Sequence, residues 1–211
     1  MRYYILILLL ISNSGFAQKY ITDKIIIDSI NYDYRFHHLE QYFKTYPEKR
    51  PVVNKDTSII NRGYVATFEI KNNKLLLNDI HVELKKNSQK FNHSIVNKIF
   101  PTANDKNLTW ITGLFYVGVG EPLDKQNDTL HIDYSNYIVF EVKRGTISRK
   151  DWFSHKQMDV FKNYQYERFS RTKDFKKLES TLKNRYNMSD WQIDAYIRKN
   201  IIYLSRKNFL K

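Results

Sequence analysis

The sequence predicts an α+β protein, with a mostly antiparallel sheet of about six or seven strands built from hairpins and a C-terminal region of three helices. Three observations predict it. Segments rich in Ile, Val, Tyr and Phe, broken by Asn and Gly, fill the chain up to residue 149. From Asp151 onward the apolar residues recur at helical spacing instead. The 211 residues include no cysteine, so a packed core rather than disulfides must hold the fold, and the chain is long enough to build one.

The first residues read as an export signal. Met1-Arg2 precede an apolar run from Tyr3 to Ile11, and small residues stand at Gly15 and Ala17. A spanning helix is the rival reading, and length decides against it. Nine apolar residues make about 14 Å of helix, against roughly 30 Å of hydrocarbon. Residues 1–17 are therefore expected to be a signal peptide cleaved before Gln18, leaving a periplasmic or secreted chain without a transmembrane segment. Residues 18–150 form the expected β-rich domain. Residues 151–211 form the expected helical region, packed on it or appended to it.

Along the remaining chain, residues 24–34 read as one strand, and residues 36–45 as a short helix with Leu39, Tyr42 and Phe43 on one face. Tyr46-Pro47 ends that helix, and a loop follows to residue 60. The clearest local signal is a hairpin of residues 64–70 and 75–84. Asn72-Asn73 supplies its two-residue turn, because Asn tolerates positive φ. Ile70 then opposes Leu75, and Phe68 opposes Leu77. The apolar positions change parity beyond Asn78, which predicts a bulge there.

Residues 92–99 suggest a helix with Ile95, Val96 and Ile99 inward. The run from Trp110 to Val119, apolar on both faces, suggests a central strand. Residues 130–133 and 137–143 suggest a second hairpin. A three-residue loop, Tyr134-Ser135-Asn136, gathers Leu130, Ile132, Ile138, Phe140 and Val142 on one face. A short strand at 146–149 follows. Helices are expected over 152–169, 173–186 and 190–207. The second carries Phe175, Leu178, Leu182 and Tyr186, and the third carries Ile193, Ile197, Ile201 and Leu204. Ser189 and Gln192 match a capping box.

The net charge is +13, and it is uneven: residues 150–211 hold 15 Lys/Arg against 7 Asp/Glu. Such a field attracts anions, although abundant Lys, Ile, Asn and Tyr also share A/T-rich codons. Export argues against nucleic acid as partner and favours an exported protein, or an anionic envelope or glycan component. Basic and aromatic residues interleave at Lys162, Tyr164, Tyr166, Arg168 and Arg171, the candidate binding residues. The same stretch suits an amphipathic helix with Phe161, Tyr164 and Phe169 inward.

Candidate chemistry is sparse. In the second hairpin's register His131, Asp133 and Glu141 share the polar face, where an imidazole beside two carboxylates could act as general base. Glu69, Asp79 and His81 lie on the first hairpin, with Glu69 suited to an ion pair with an arginine such as Arg62. His37-His38 project about 100° apart on a helix, which disfavours a shared metal site. Gly118-x-Gly120 lacks the third glycine of a phosphate loop and reads as a turn. The residues indicate no metal site and no cofactor.

The run Arg62-Gly63-Tyr64-Val65-Ala66-Thr67-Phe68-Glu69-Ile70, followed by Leu75, Leu77, Asp79 and Ile80, resembles a segment that recurs in small bacterial proteins of uncharacterised function. Trp110 to Gly113, Gly120 and Phe140-Glu141 are similar to that family's second half. The likeness covers about residues 60–145 and implies no activity. The residues together point to an exported, non-catalytic binding or interaction protein. A small hydrolase using His131, Asp133 and Glu141, or a structural accessory of an envelope complex, are the alternatives.

Overall fold

The computed structural model describes residues 21–51, 62–86, 89–123 and 132–205. The fold is α+β: a mixed, mostly antiparallel eight-stranded sheet followed by helices. The strands are β1 (Asp23–Ile27), β2 (Ile30–Tyr34), β3 (Val65–Lys71), β4 (Lys74–Lys86), β5 (Gln89–Ser94), β6 (Gly113–Pro122), β7 (Tyr134–Lys143) and β8 (Thr146–Ser154). The helices are α1 (His38–Thr45), α2 (Val96–Ile99), α3 (His155–Ser170), α4 (Lys173–Tyr186), α5 (Asp190–Lys199) and α6 (Ile201–Leu204). The strand order is β2-β1-β3-β4-β8-β7-β6, with β5 paired to β4. Among the described residues only β1 and β3 pair in parallel.

The stretch expected as one strand at 24–34 is instead a tight hairpin. Asp28 and Ser29 both take left-handed conformations and fold β2 back on β1. Partial alternation could not separate a long strand from two short ones, because neither residue is a glycine. The β3–β4 hairpin matches its reading. Asn72 and Asn73 turn it at φ 50° and 56°, and Ile70–Leu75 and Phe68–Leu77 are paired. The register shifts between Thr67 and Phe68, which oppose Asp79 and Leu77, so Asn78 is the bulged residue.

Several readings are corrected. Residues 89–94 form β5 against β4, and only Val96–Ile99 is helical. The strand read at 110–119 begins at Gly113 and ends the pairing order instead of centring it. The second hairpin does not exist as drawn. Tyr134, Ser135 and Asn136 are the start of β7, paired with β6 and β8. Residues 124–131, His131 and Leu130 among them, lie outside the described residues. Strand β8 runs to Ser154, so the first C-terminal helix starts at His155, three residues later than expected. Ser154 caps it, with Gln157 N–H donating to its hydroxyl and Gln157 Oε1 accepting from its N–H. The last helix breaks at Asn200.

Core side chains from both parts of the sheet meet on one side. Ile25, Tyr34, Phe68, Leu77, Phe115 and Phe140 are buried together. The sheet bends, since its end strands β2 and β6 lie side by side, and among the described residues β4 and β8 pair only at Lys74 and Thr146. Leu108 covers the neighbouring β4 edge through a bond from its N–H to Leu75 O. That bend carries β6 back alongside β2 without ladder pairing, and Phe36 rings contact Phe115 and Tyr116 across the gap. Strand β7 is buried on both faces from Tyr137 to Val142, since α3 covers the face away from the core. Helices α4, α5 and α6 pack onto α3, with Ile193, Ile197, Ile201 and Leu182 inward.

Candidate functional site

The gap between β2 and β6 opens as a cleft of about 480 Å³. Its walls carry Arg35, Phe36 and His37 from the link between β2 and α1, and Tyr116 and Gly118 from β6. The approach to β7 adds Asp133 and Tyr134, and the helices add Lys162, Lys199 and Tyr203. No local motif could reveal this set, because it draws on five segments spread over some 170 positions. Three cations and three tyrosines therefore converge, accompanied by the carboxylates Asp33 and Asp133.

Aromatic contacts order this wall. Phe36 meets Tyr116 edge-on with centroids 5.3 Å apart, Tyr116 meets Tyr137 at 5.9 Å, and Tyr137 meets Tyr134 at 6.3 Å. The Tyr137 hydroxyl donates to Asp133 Oδ1 at 3.0 Å and accepts from the Tyr134 N–H at 2.9 Å. Lys162 Nζ lies 3.7 Å from Asp133 and 5.9 Å from the Tyr137 ring centre. Burial raises the Tyr137 phenol well above its usual range, with the neighbouring Asp133 charge adding to it. Burial likewise raises Tyr116 and Tyr134, with Arg35 opposing in both cases. All three phenols thus remain hydrogen-bond donors at neutral pH. Burial would raise Asp33, but hydrogen bonding and charge from Lys24, with help from Thr22 and Arg35, hold it below the usual carboxylate range.

A second polar cluster lies at the start of β1. Arg62 forks onto the buried Asp23, Nη1 to Oδ2 at 2.9 Å and Nη2 to Oδ1 at 3.0 Å. The Ala66 N–H donates to Asp23 at 2.9 Å, and His37 Nδ1 stands 3.3 Å away. The partner of Arg62 is therefore Asp23, not the expected Glu69. Glu40 accepts two bonds from Arg50 and one from the Tyr64 hydroxyl. Gly63 takes φ 81°, a turn into β3 that favours glycine. Arg62-Gly63-Tyr64 thus ties β1, β3 and α1 together, a structural use of the segment that carries the resemblance.

The candidate catalytic trio is not assembled. Asp133 is in the cleft, while Glu141 lies seven strand residues beyond Tyr134, roughly 23 Å away. Glu141 is buried among structural partners, accepting from Ser148 at 2.7 Å and pairing with Lys143 at 2.8 Å. His131 lies outside the described residues. Asp79 accepts from the Ile80 N–H and the Ser94 hydroxyl, and His81 lies 3.2 Å from it beside the bulge. His37 and His38 serve different partners, since His38 Nε2 bonds the Tyr34 hydroxyl at 2.7 Å. Among the described residues no three metal-ligating side chains cluster.

The interleaved basic and aromatic residues divide between faces of α3. Lys162 enters the cleft. Tyr166 bonds Asp194 and stacks under Arg198, 3.9 Å from its ring centre. Tyr164 and Arg168 pair on the outer face, and Arg171 is exposed beyond the last turn. Tyr164 therefore faces out, against expectation; Met158, Gln165 and Phe169 are the buried positions. The sequence reading found Lys162 and Asp133 but missed Arg35, Tyr116, Tyr134, Lys199 and Tyr203, which only the chain's folding brings together. Among the described residues no helix is long and apolar enough to cross a membrane. No protein-family model, curated protein or solved structure matches the chain.

Proposed function

We propose that this is an exported, non-catalytic binding protein whose β2–β6 cleft takes a small anionic ligand of the kind found in envelope glycans. The observation that carries this reading is the convergence of Arg35, Lys162 and Lys199 with the rings of Tyr116, Tyr134 and Tyr203 in one cleft. Acidic sugars present an anionic group, hydroxyls and an apolar ring face. Cations, carboxylate or amide acceptors (Asp133, Asn200) and tyrosine rings complement those three features in turn. Asp33 is poorly suited to act as the general acid of glycoside cleavage. A general acid needs a raised pKa, whereas Asp33 is held low by Lys24. Export to the periplasm or beyond follows from the reading of residues 1–17.

Calorimetric titration with glucuronate, a hexose phosphate and neutral glucose tests the proposal. The two acids are expected to bind and glucose to bind at least about tenfold more weakly. Lys199→Ala and Tyr203→Ala, both at the exposed rim, should each weaken acid binding several-fold, with thermal melts confirming that each variant is folded. Equal or absent binding of all three sugars would defeat the reading.

A further inference from the structure

We infer that the chain forms a two-fold dimer through the outer edge of β8, with the two copies of α3 packing across the joint. Strand β8 pairs with β7 along its length, from Thr146 to Ser154. On its other side only Thr146 pairs with Lys74, and the Ile147 N–H donates to Asn73 O. Beyond Ile147 no strand among the described residues covers that edge. An uncovered strand edge is a template for another strand.

The edge is self-complementary. In an antiparallel pairing centred on Lys150, Arg149 of one copy faces Asp151 of the other, and the reverse pair forms by symmetry. Within one copy Arg149 Nε already lies 2.6 Å from Asp151 Oδ2, so pairing the two copies makes a ring of four alternating charges. Ser148 is bulged toward Glu141, between the pairs Glu141–Arg149 and Val142–Ile147, so the regular part of this register is centred on Arg149, Lys150 and Asp151. The two Lys150 side chains meet at the axis, but each lies 2.9 Å from its own Asp28, which offsets their repulsion.

So short an edge is too narrow alone, since stable dimers bury about 1,200–2,000 Å² in total. The flank of α3 supplies the rest. A two-fold axis normal to the sheet places both α3 helices on the same face of the joined sheets. There Val160, 63 % exposed, and Tyr164, 44 % exposed, border an open apolar groove with Phe153 and Phe161. Trp152, 59 % exposed, stands at the edge itself. The edge that no described strand covers, the alternating charges and the apolar flank thus lie close together. The cleft is lined from α3 by Lys162 and from β2 and β6, so dimerisation leaves the proposed binding function independent.

Light scattering of the purified chain over a concentration series is the test. A dimer is expected. Arg149→Asp should weaken it by about a hundredfold by setting like charges opposite each other, and Asp151→Arg added to it should restore it. Val160→Lys should weaken it independently, with circular dichroism confirming each fold. A wild-type chain that stays monomeric to about 100 μM, a dimer indifferent to Arg149→Asp, or a charge swap that fails to rescue overturns the inference.

Discussion

Gly118 lies directly beneath the Tyr134 ring: a methyl group on Gly118 would fall 2.0 Å from Tyr134 Cδ2 and 2.3 Å from Cγ. The clash reaches the root of the ring, so rotation of the ring tip does not relieve it. Gly118→Ala is therefore expected to push Tyr134 out of the cleft wall. The cost should be about 1–3 kcal/mol of stability, with acid binding weakened in parallel. Chemical denaturation and titration of the variant check both effects. Unchanged stability would show that strand β7 shifts to accept the methyl.

Arg62→Ala should be among the most damaging substitutions. It leaves Asp23, only 1 % exposed, without its bidentate partner. Breaking a buried pair in this way costs about 3–5 kcal/mol. Arg62→Lys should recover only part, because an ammonium cannot fork onto both oxygens. Urea unfolding of the two variants provides the comparison.

The same cluster dictates an acid sensitivity. Burial would raise Asp23, but bonds from His37, Arg62 and the Ala66 N–H hold it below its usual 3.8. Its unfolded form binds protons first, so its contribution is complete above the usual aspartate value and is lost as pH falls through the lowered native one. Stability measured by thermal melts should drop steeply in that acid range in the wild type. Asp23→Asn should melt lower at neutral pH and show a flatter acid dependence. An equally steep slope in the variant would assign the acid loss to other carboxylates.

The hairpin turn offers a prediction of opposite sign. Asn72 and Asn73 both sit at positive φ, where a β-branched residue is strained. Asn73→Gly should be neutral or stabilising by about 0.5 kcal/mol, and Asn73→Val destabilising by at least about 1 kcal/mol. Their melting temperatures order the three proteins.

What the sequence shows locally, the structure keeps. Asn72-Asn73, the bulge at Asn78 and the stripe Ile193, Ile197, Ile201 depend on neighbours within a few residues. Apart from the Asp28-Ser29 turn, errors arose where distant partners decide. Residues 89–94 are mostly polar, yet pair along β4 from His81 to Lys86. Tyr134 to Asn136 look like a turn, yet β6 and β8 hold them extended. The cleft is invisible for the same reason, since Arg35, Tyr116 and Lys199 meet only after the sheet bends. Lys162 was found through its crowded basic neighbourhood, most of which points elsewhere.

Gln165 gives a test of what the helical layer tolerates. It lies one turn beyond Lys162 on α3 and is completely buried. Among the described residues neither its Oε1 nor its Nε2 has a hydrogen-bonding partner. A buried amide without partners costs about 1–3 kcal/mol relative to an apolar side chain of similar shape. Methionine matches glutamine in length and flexibility, so Gln165→Met keeps the volume between α3 and its neighbours while removing the penalty. The variant should therefore be more stable than the wild type by about 1 kcal/mol in denaturant titration, with an unchanged slope. A loss of stability instead would mean that the amide is satisfied in solution, and that this part of α3 is a polar joint and not a dry core.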